Sequence, residues 1–177
     1  MLIRPAVSDD TDELAALASR AVAGLSSGFY DASQIQSASE CITVPDADLI
    51  ADGTMFVADV EGRIVGCGAW SKRKKLYTGS GAKAGSSAWL DPATDPARIR
   101  AFFVDPEFAR QGIARKIYEA CREGAVREGF TRLALMATLP GVPCYERLGF
   151  AAEQPVELDL TDGTNLPAVQ MGISLAR

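Results

Sequence analysis

The stretch "FFVDPEFARQGIARKIYEACREGAVREG", Phe102 to Gly129, decides how this chain is read. It opens as an apolar strand, breaks at Asp105-Pro106 and passes through Gly112 into a charged amphipathic helix. Extended on both sides, the pattern gives a strand "ARIRAFFV" from Ala97, a helix from about Gly112 to Glu128, and a strand "TRLALMAT" from Thr131. Strand, helix, strand in that order predicts a right-handed crossover with both strands parallel in one sheet. The helix is expected to bury Ile113, Ile117, Ala120, Cys121 and Gly124, and to turn Arg115, Lys116, Glu119, Arg122 and Glu123 to solvent.

The join itself carries chemistry. The first turn of a helix holds amide donors without intrahelical partners, and the aligned peptide dipoles add positive charge there. Gly112 lets a ligand approach the backbone, Ala114 keeps the next face open, and Arg110 adds a fixed charge. A pyrophosphate fits this arrangement. On this stretch alone a plainer reading stands beside it, in which Gly112 starts a helix and Arg110 is a solvated surface charge.

Outward from the crossover, "LIRPAV" reads as an opening strand, followed by a helix capped by Ser8 or Asp9 and carrying Leu14, Leu17, Ala18, Ala21 and Val22 at helical spacing. Residues 24–53 read as helix and loop, with weaker helical pieces near Ala32 to Ile35 and Asp46 to Ala51. The alternation in "TMFVADVEGRIVGCGAWS" predicts a hairpin from Thr54 to Ser71 turning at Glu61-Gly62. A basic run, Lys72 to Lys75, and a Gly/Ser-rich tract then replace any periodicity, which reads as a long, exposed and mobile loop. After the crossover come a short helix near Val142 to Leu148, a strand "AEQPVELDL", a turn at Asp162-Gly163 and a last strand "LPAVQMGISL". The sum is one α+β domain over residues 1–177, a mixed twisted sheet with helices on both faces.

Composition narrows the function. With 177 residues, 47% hydrophobic and 23% charged, the chain matches an ordinary soluble domain. A net charge of −5 argues against a nucleic-acid partner. No run spans a bilayer and "MLIRPAVSDD" lacks a signal-peptide core, so a cytoplasmic protein without a membrane partner is expected. Four scattered cysteines, Cys41, Cys67, Cys121 and Cys144, read as reduced and mostly buried thiols. The chain has no histidine, which removes the commonest metal ligand and the usual base near neutral pH. No metal is expected, and any catalysis must find its base elsewhere.

"VDPEFARQGIARKIY" resembles the acetyl-CoA signature of the GCN5-related N-acetyltransferases, and "CYERLGF" (Cys144 to Phe150) resembles their C-terminal motif, in the family's order and separation. The resemblance implies the acyltransferase fold with acetyl-CoA as co-substrate. Phe102, Phe103 and Val104 would offer strand backbone to the pantetheine arm, and Arg110, Gln111, Gly112, Ile113, Ala114 and Arg115 would cradle the pyrophosphate. Tyr145 would sit beside the thioester sulfur as general acid. Two positions depart from the family's pattern. Ala109 stands where a Gln or Arg is usual, which shifts phosphate contact to Arg110 and the amides, and Thr138 takes the place of a frequent asparagine at the cofactor.

The chemistry needs a neutral amine and a protonated leaving thiolate. A tyrosine with an ordinary pKa of about 10 is protonated at neutral pH and can supply that proton. Its plainer reading is a ring packed near Leu148 and Phe150. A protonated amine needs a base, for which Glu40, Asp91, Asp95 and Asp105 are candidates and none is assigned. Where family members often carry an acid on the strand before the signature, this chain has Arg98, Ile99, Arg100 and Ala101. The run Lys72 to Lys75 is open to a phosphate or to solvent, "TGSGAKAG" lacks the Lys-Ser/Thr ending of a phosphate loop, and Trp70 and Trp89 are open to an acceptor pocket or to the core. The expected function is acetyl transfer to the amine of a small molecule. The rivals are acetylation of a protein N-terminus or lysine, and a non-catalytic acetyl-CoA sensor. The resemblance also admits a homodimer.

Overall fold

The computed structural model describes residues 1–75, 77 and 88–175. Seven strands form one sheet in the order β1-β2-β3-β4-β5-β7-β6. They are β1 (Leu2–Pro5), β2 (Met55–Val60), β3 (Arg63–Ser71), β4 (Ala97–Val104), β5 (Arg132–Thr138), β6 (Ala151–Asp159) and β7 (Asn165–Ser174). The helices are α1 (Thr11–Leu25), α2 (Ala32–Cys41), α3 (Ala47–Ala51), α4 (Ile113–Arg127) and α5 (Val142–Arg147). The strands flanking α4 are the parallel pair, β4 with β5, and the other neighbours run antiparallel. The parallel strands around α4 and the hairpin turning at Glu61-Gly62 are therefore as the sequence predicts.

The helices cover both faces, because alternate residues of the central strands are apolar on both sides. On one face Ile113, Ile117, Tyr118, Cys121 and Ala125 of α4 pack on Val65, Ile99, Leu133, Leu135 and Met171. On the other, Leu14 and Leu17 of α1 meet Val57, Ile64 and Cys67, while Val22 and α2 pack on Leu158, Leu160 and Leu166. The buried stripe of α4 differs from the expected one at Ala120 and Gly124, which are half-buried, while Tyr118 and Ala125 are buried. At Gly124 the Trp70 indole occupies the space that a side chain would take. Trp70 is thus a core residue, edge-on to Phe130, and Trp89 is exposed beneath the guanidinium of Arg73, 4.6 Å from its ring centre.

The weak helical piece near Ala32 extends to Cys41 because Asp31 and Gln34 form a reciprocal cap. The Asp31 carboxylate accepts from the Gln34 amide at 2.8 Å, and the Gln34 side chain accepts from the Asp31 amide at 3.1 Å. Three of the four residues of the basic run meet acids, Lys72 with Glu128, Arg73 with Asp52 and Lys75 with Asp46, while Lys74 is exposed. The expected mobility of residues 72–85 falls mostly outside the described residues. The four cysteines are free thiols, three of them buried, and no described helix is long and apolar enough to cross a membrane.

Candidate active site

The parallel pair among the described strands barely pairs. β4 and β5 share the rungs Ala97↔Leu133 and Arg98↔Ala134, although they continue to Val104 and Thr138. The register between β3 and β4 slips between Cys67 and Ala69, and opposite this slip Ala101 takes a left-handed φ of 53°. A bulge bends its strand, and here it turns β4 away from β5. The Cys67 thiol donates to the Ala101 carbonyl at 3.4 Å, and Gly68 makes room for the Phe102 ring, whose nearest atom would lie 2.4 Å from a Cβ at that position. The result is a gap inside the sheet, edged by the backbone of Phe102 to Val104 on one side and by the end of β5, with Thr138, on the other.

At the mouth of this gap the chain makes the strand-to-helix join. Arg110 has φ 62° and Gly112 φ 79°, both left-handed, so the backbone turns tightly before α4. Such strain in a non-glycine residue clusters at functional positions. The first turn of α4 has no side-chain cap and no acid, whereas α2 and α3 are capped by Asp31 and Asp46. A Cβ at Gly112 would meet no atom within 4 Å, so the space in front of these amides is open. Arg110 and Gln111 are exposed and Ala114 half-buried, but Ile113 is buried and can offer only its amide. Arg115 donates to the Arg147 carbonyl at 3.2 Å, which ties the start of α4 to the end of α5. Uncapped amides facing open space beside a glycine suit a pyrophosphate, and the parted strand edge suits an extended amide-bearing arm.

Tyr145 stands on α5, half-buried, with its ring edge-on to Phe102 at 6.2 Å and to Phe150 at 5.8 Å between centres. It thereby reaches the β4 edge of the gap. Gly141 gives it room, since a Cβ there would sit 3.2 Å from its ring. Burial pushes the Tyr145 hydroxyl above its ordinary pKa, and the Cys144, Cys121 and Cys67 thiols add to the shift. It is a neutral O–H donor through the physiological range, and no described residue accepts from it. Burial likewise pushes the Cys67 thiol up to about 12, so that it stays an inert core group.

The candidate bases meet different fates. Asp105 is 1% exposed and accepts from Arg20 at 3.1 Å, Arg63 at 2.9 Å and the Glu107 amide at 3.1 Å. Burial raises its pKa, but these donors outweigh that and hold it below the usual carboxylate range, which removes it as a base. Asp91 and Asp95 accept from backbone amides of their own turn. Glu40 is exposed and lines a shallow cleft of about 330 Å³ with Asp46, Lys75 and Thr161. What sequence reasoning missed is Asp46, the cap of α3, which meets Arg100 of β4 at 2.6 Å and Lys75 at 2.9 Å. A buried arginine demands a carboxylate, but nothing along the chain says which one.

A mixed sheet parted at its parallel pair, with an open helix start at the mouth of the gap, defines an acyl-CoA-dependent acyltransferase architecture. The acetyltransferase (GNAT) family model matches residues 24–150, more than two thirds of the chain, and the chain belongs to that family. No curated protein matches it significantly in sequence. Among solved structures it is similar to a GCN5-related N-acetyltransferase from Rhodopseudomonas palustris, at TM-score 0.74 and 18% identity over 98% of this chain and 95% of that one. It is also similar to the PaiA N-acetyltransferase from Thermoplasma acidophilum in complex with coenzyme A, at 0.68 and 14% over 98% of both chains. The YncA acetyltransferase from Salmonella typhimurium with acetyl-CoA aligns at 0.63 and 16%, over 100% of this chain and 95% of that one. At such identities the likeness is one of fold.

Proposed function

We propose that this protein moves an acetyl group from acetyl-CoA to the amine of a small molecule in the cytoplasm, with Tyr145 as general acid. The observation that carries this is the Tyr145 hydroxyl, a neutral donor without an acceptor among the described residues, standing at the edge of a gap whose mouth is an open helix start. Acetyl-CoA supplies the activated acyl group. The amides of Gly112 to Arg115, with Arg110 and Gln111, hold its pyrophosphate, while the backbone of Phe102, Phe103 and Val104 aligns the arm and Thr138 borders it. As the acceptor nitrogen bonds to the carbonyl carbon, the C–S bond breaks and Tyr145 passes its proton to the departing sulfur. The acceptor's own proton leaves to water, and a proton from solvent restores the Tyr145 hydroxyl.

Binding and turnover test this reading separately. Acetyl-CoA should raise the melting temperature, since it binds the folded state alone. A panel of small amines, peptide N-termini and lysine peptides should release free thiol from acetyl-CoA with at least one small amine. No thermal shift at millimolar acetyl-CoA would refute the cofactor, and turnover of peptides alone would favour the protein acetyltransferase.

A further inference from the structure

On the face of the sheet away from α4, the Arg98 guanidinium has no ion-pair partner among the described residues. Ala97 and Ile99 of β4 lie in the core under α4, so the alternating Arg98 and Arg100 project from the opposite face. Arg100 forms an ion pair there with Asp46 through one Nη. Arg98 is only half-buried, yet its Nε is a buried donor with no acceptor, and it forms no ion pair with any described residue. The two carboxylates whose charge it feels, Asp95 and Glu153, are engaged elsewhere: Asp95 accepts from the Asp91 amide at 2.9 Å, and Glu153 accepts from Gln170 at 2.6 Å. A buried donor without an acceptor destabilises a fold, so its presence asks for a reason outside the fold.

The surroundings describe that reason. Arg98 pairs with Ala134 of β5, and Ala134 pairs with Gly172 of β7, so the strip beside Arg98 is floored by a methyl group and a glycine. Glu153 leans over Gly172 from β6, where a Cβ would meet its Oε1. This strip is also the last rung before β4 and β5 part, three residues below the bulge at Ala101. A guanidinium offers only donors in a planar fork, which matches a carboxylate or a phosphate and nothing neutral so well. We propose that Arg98 binds an anionic group of the acceptor, making the substrate an amine that carries a carboxylate or a phosphate. This deepens the acetyl-transfer reading and rests on it.

The test is a series of ω-amino carboxylic acids and ω-aminoalkyl phosphates, each beside the neutral alkylamine of the same length, assayed for thiol release from acetyl-CoA. An anionic member should exceed its neutral partner by roughly 10- to 100-fold in kcat/KM, mostly through KM, the worth of a charge-assisted hydrogen bond. The two arms distinguish carboxylate from phosphate. Arg98→Met should bring the members of a pair to within about threefold, and Arg98→Lys should keep part of the preference. Arg98→Met should also hold or raise the melting temperature, which a structural arginine would not do. Calorimetric titration of the same amines into protein loaded with coenzyme A reads the preference without turnover. Neutral members bound and used as well as anionic ones would overturn the proposal, as would an unchanged preference in Arg98→Met. A wild-type protein that fails to bind acetyl-CoA would instead overturn the transfer reading beneath it.

Discussion

The two ends of β4 treat buried charge in opposite ways. Just past its C-terminal end, Asp105 is closed in by two arginines and an amide from three other places in the chain, and its own amide donates to Val65. Near its start, Arg98 keeps a buried donor with no answer. The closed end fixes the strand against α1 and β3 and so aims the segment that leads into α4. The open end adds nothing to that frame. One strand thus separates charge that builds the site from charge that is left for a ligand.

Three substitutions probe this contrast, beginning with the largest effect. Gly112→Val places a branched side chain in a left-handed position and in front of the open amides. It should abolish the thermal shift with acetyl-CoA, a loss of about 100-fold or more in affinity if two charge-assisted hydrogen bonds go. A variant that folds and still shifts normally would mean that the ligand does not sit on these amides.

Tyr145→Phe keeps the ring between Phe102 and Phe150 and removes only the hydroxyl. The transfer rate should fall about 10- to 10³-fold, in kcat and kcat/KM together, with cofactor affinity nearly unchanged. A single-turnover rate equal to wild type would leave Tyr145 a packing residue and return weight to the sensor.

Asp105→Asn attacks the closed end, and its cost should appear in folding rather than chemistry. Loss of a buried carboxylate facing two arginines that are themselves partly exposed should destabilise by about 2 kcal/mol. The sign with pH follows from the depressed folded pKa. The contribution is fully present above the unfolded value of about 3.9 and is lost as pH falls through the lower folded value. Denaturant titrations of wild type and variant should therefore differ at pH 7 and converge in acid. A difference that stays constant down to pH 2 would show that the aspartate stabilises by shape alone.

Much of the frame was legible because its signals are local. The hairpin at Glu61-Gly62, the strand-helix-strand around Gly112 and the closing strands each carry their own periodicity and turn residues. The full length of α2 was also written locally, in the spacing of Asp31 and Gln34, though it was read as a shorter helix. What was not legible depends on distant parts of the chain. Arg98 and Arg100 look alike in sequence, and their different fates turn on Asp46, 54 residues from Arg100. The left-handed backbone at Ala101 and Arg110 has no mark in composition, since neither residue type favours it. That Gly124 faces the Trp70 indole, 54 positions earlier by number, also has no mark in the sequence of α4.

The parting of β4 and β5 also bears on which edges of the sheet are open to a foreign strand. A sheet ordinarily has two edges, and each invites a foreign strand. Here β1 is only four residues long and ends at Pro5, while β6 carries Pro155 in mid-strand, so both outer edges are blunted. The gap adds two internal edges where β4 and β5 no longer pair. They form a notch stopped at its base by the rung from Arg98 to Ala134, so an intruding strand would have to end there. A sheet can therefore keep a permanently open seam for a slender ligand without offering its neighbours a template for aggregation.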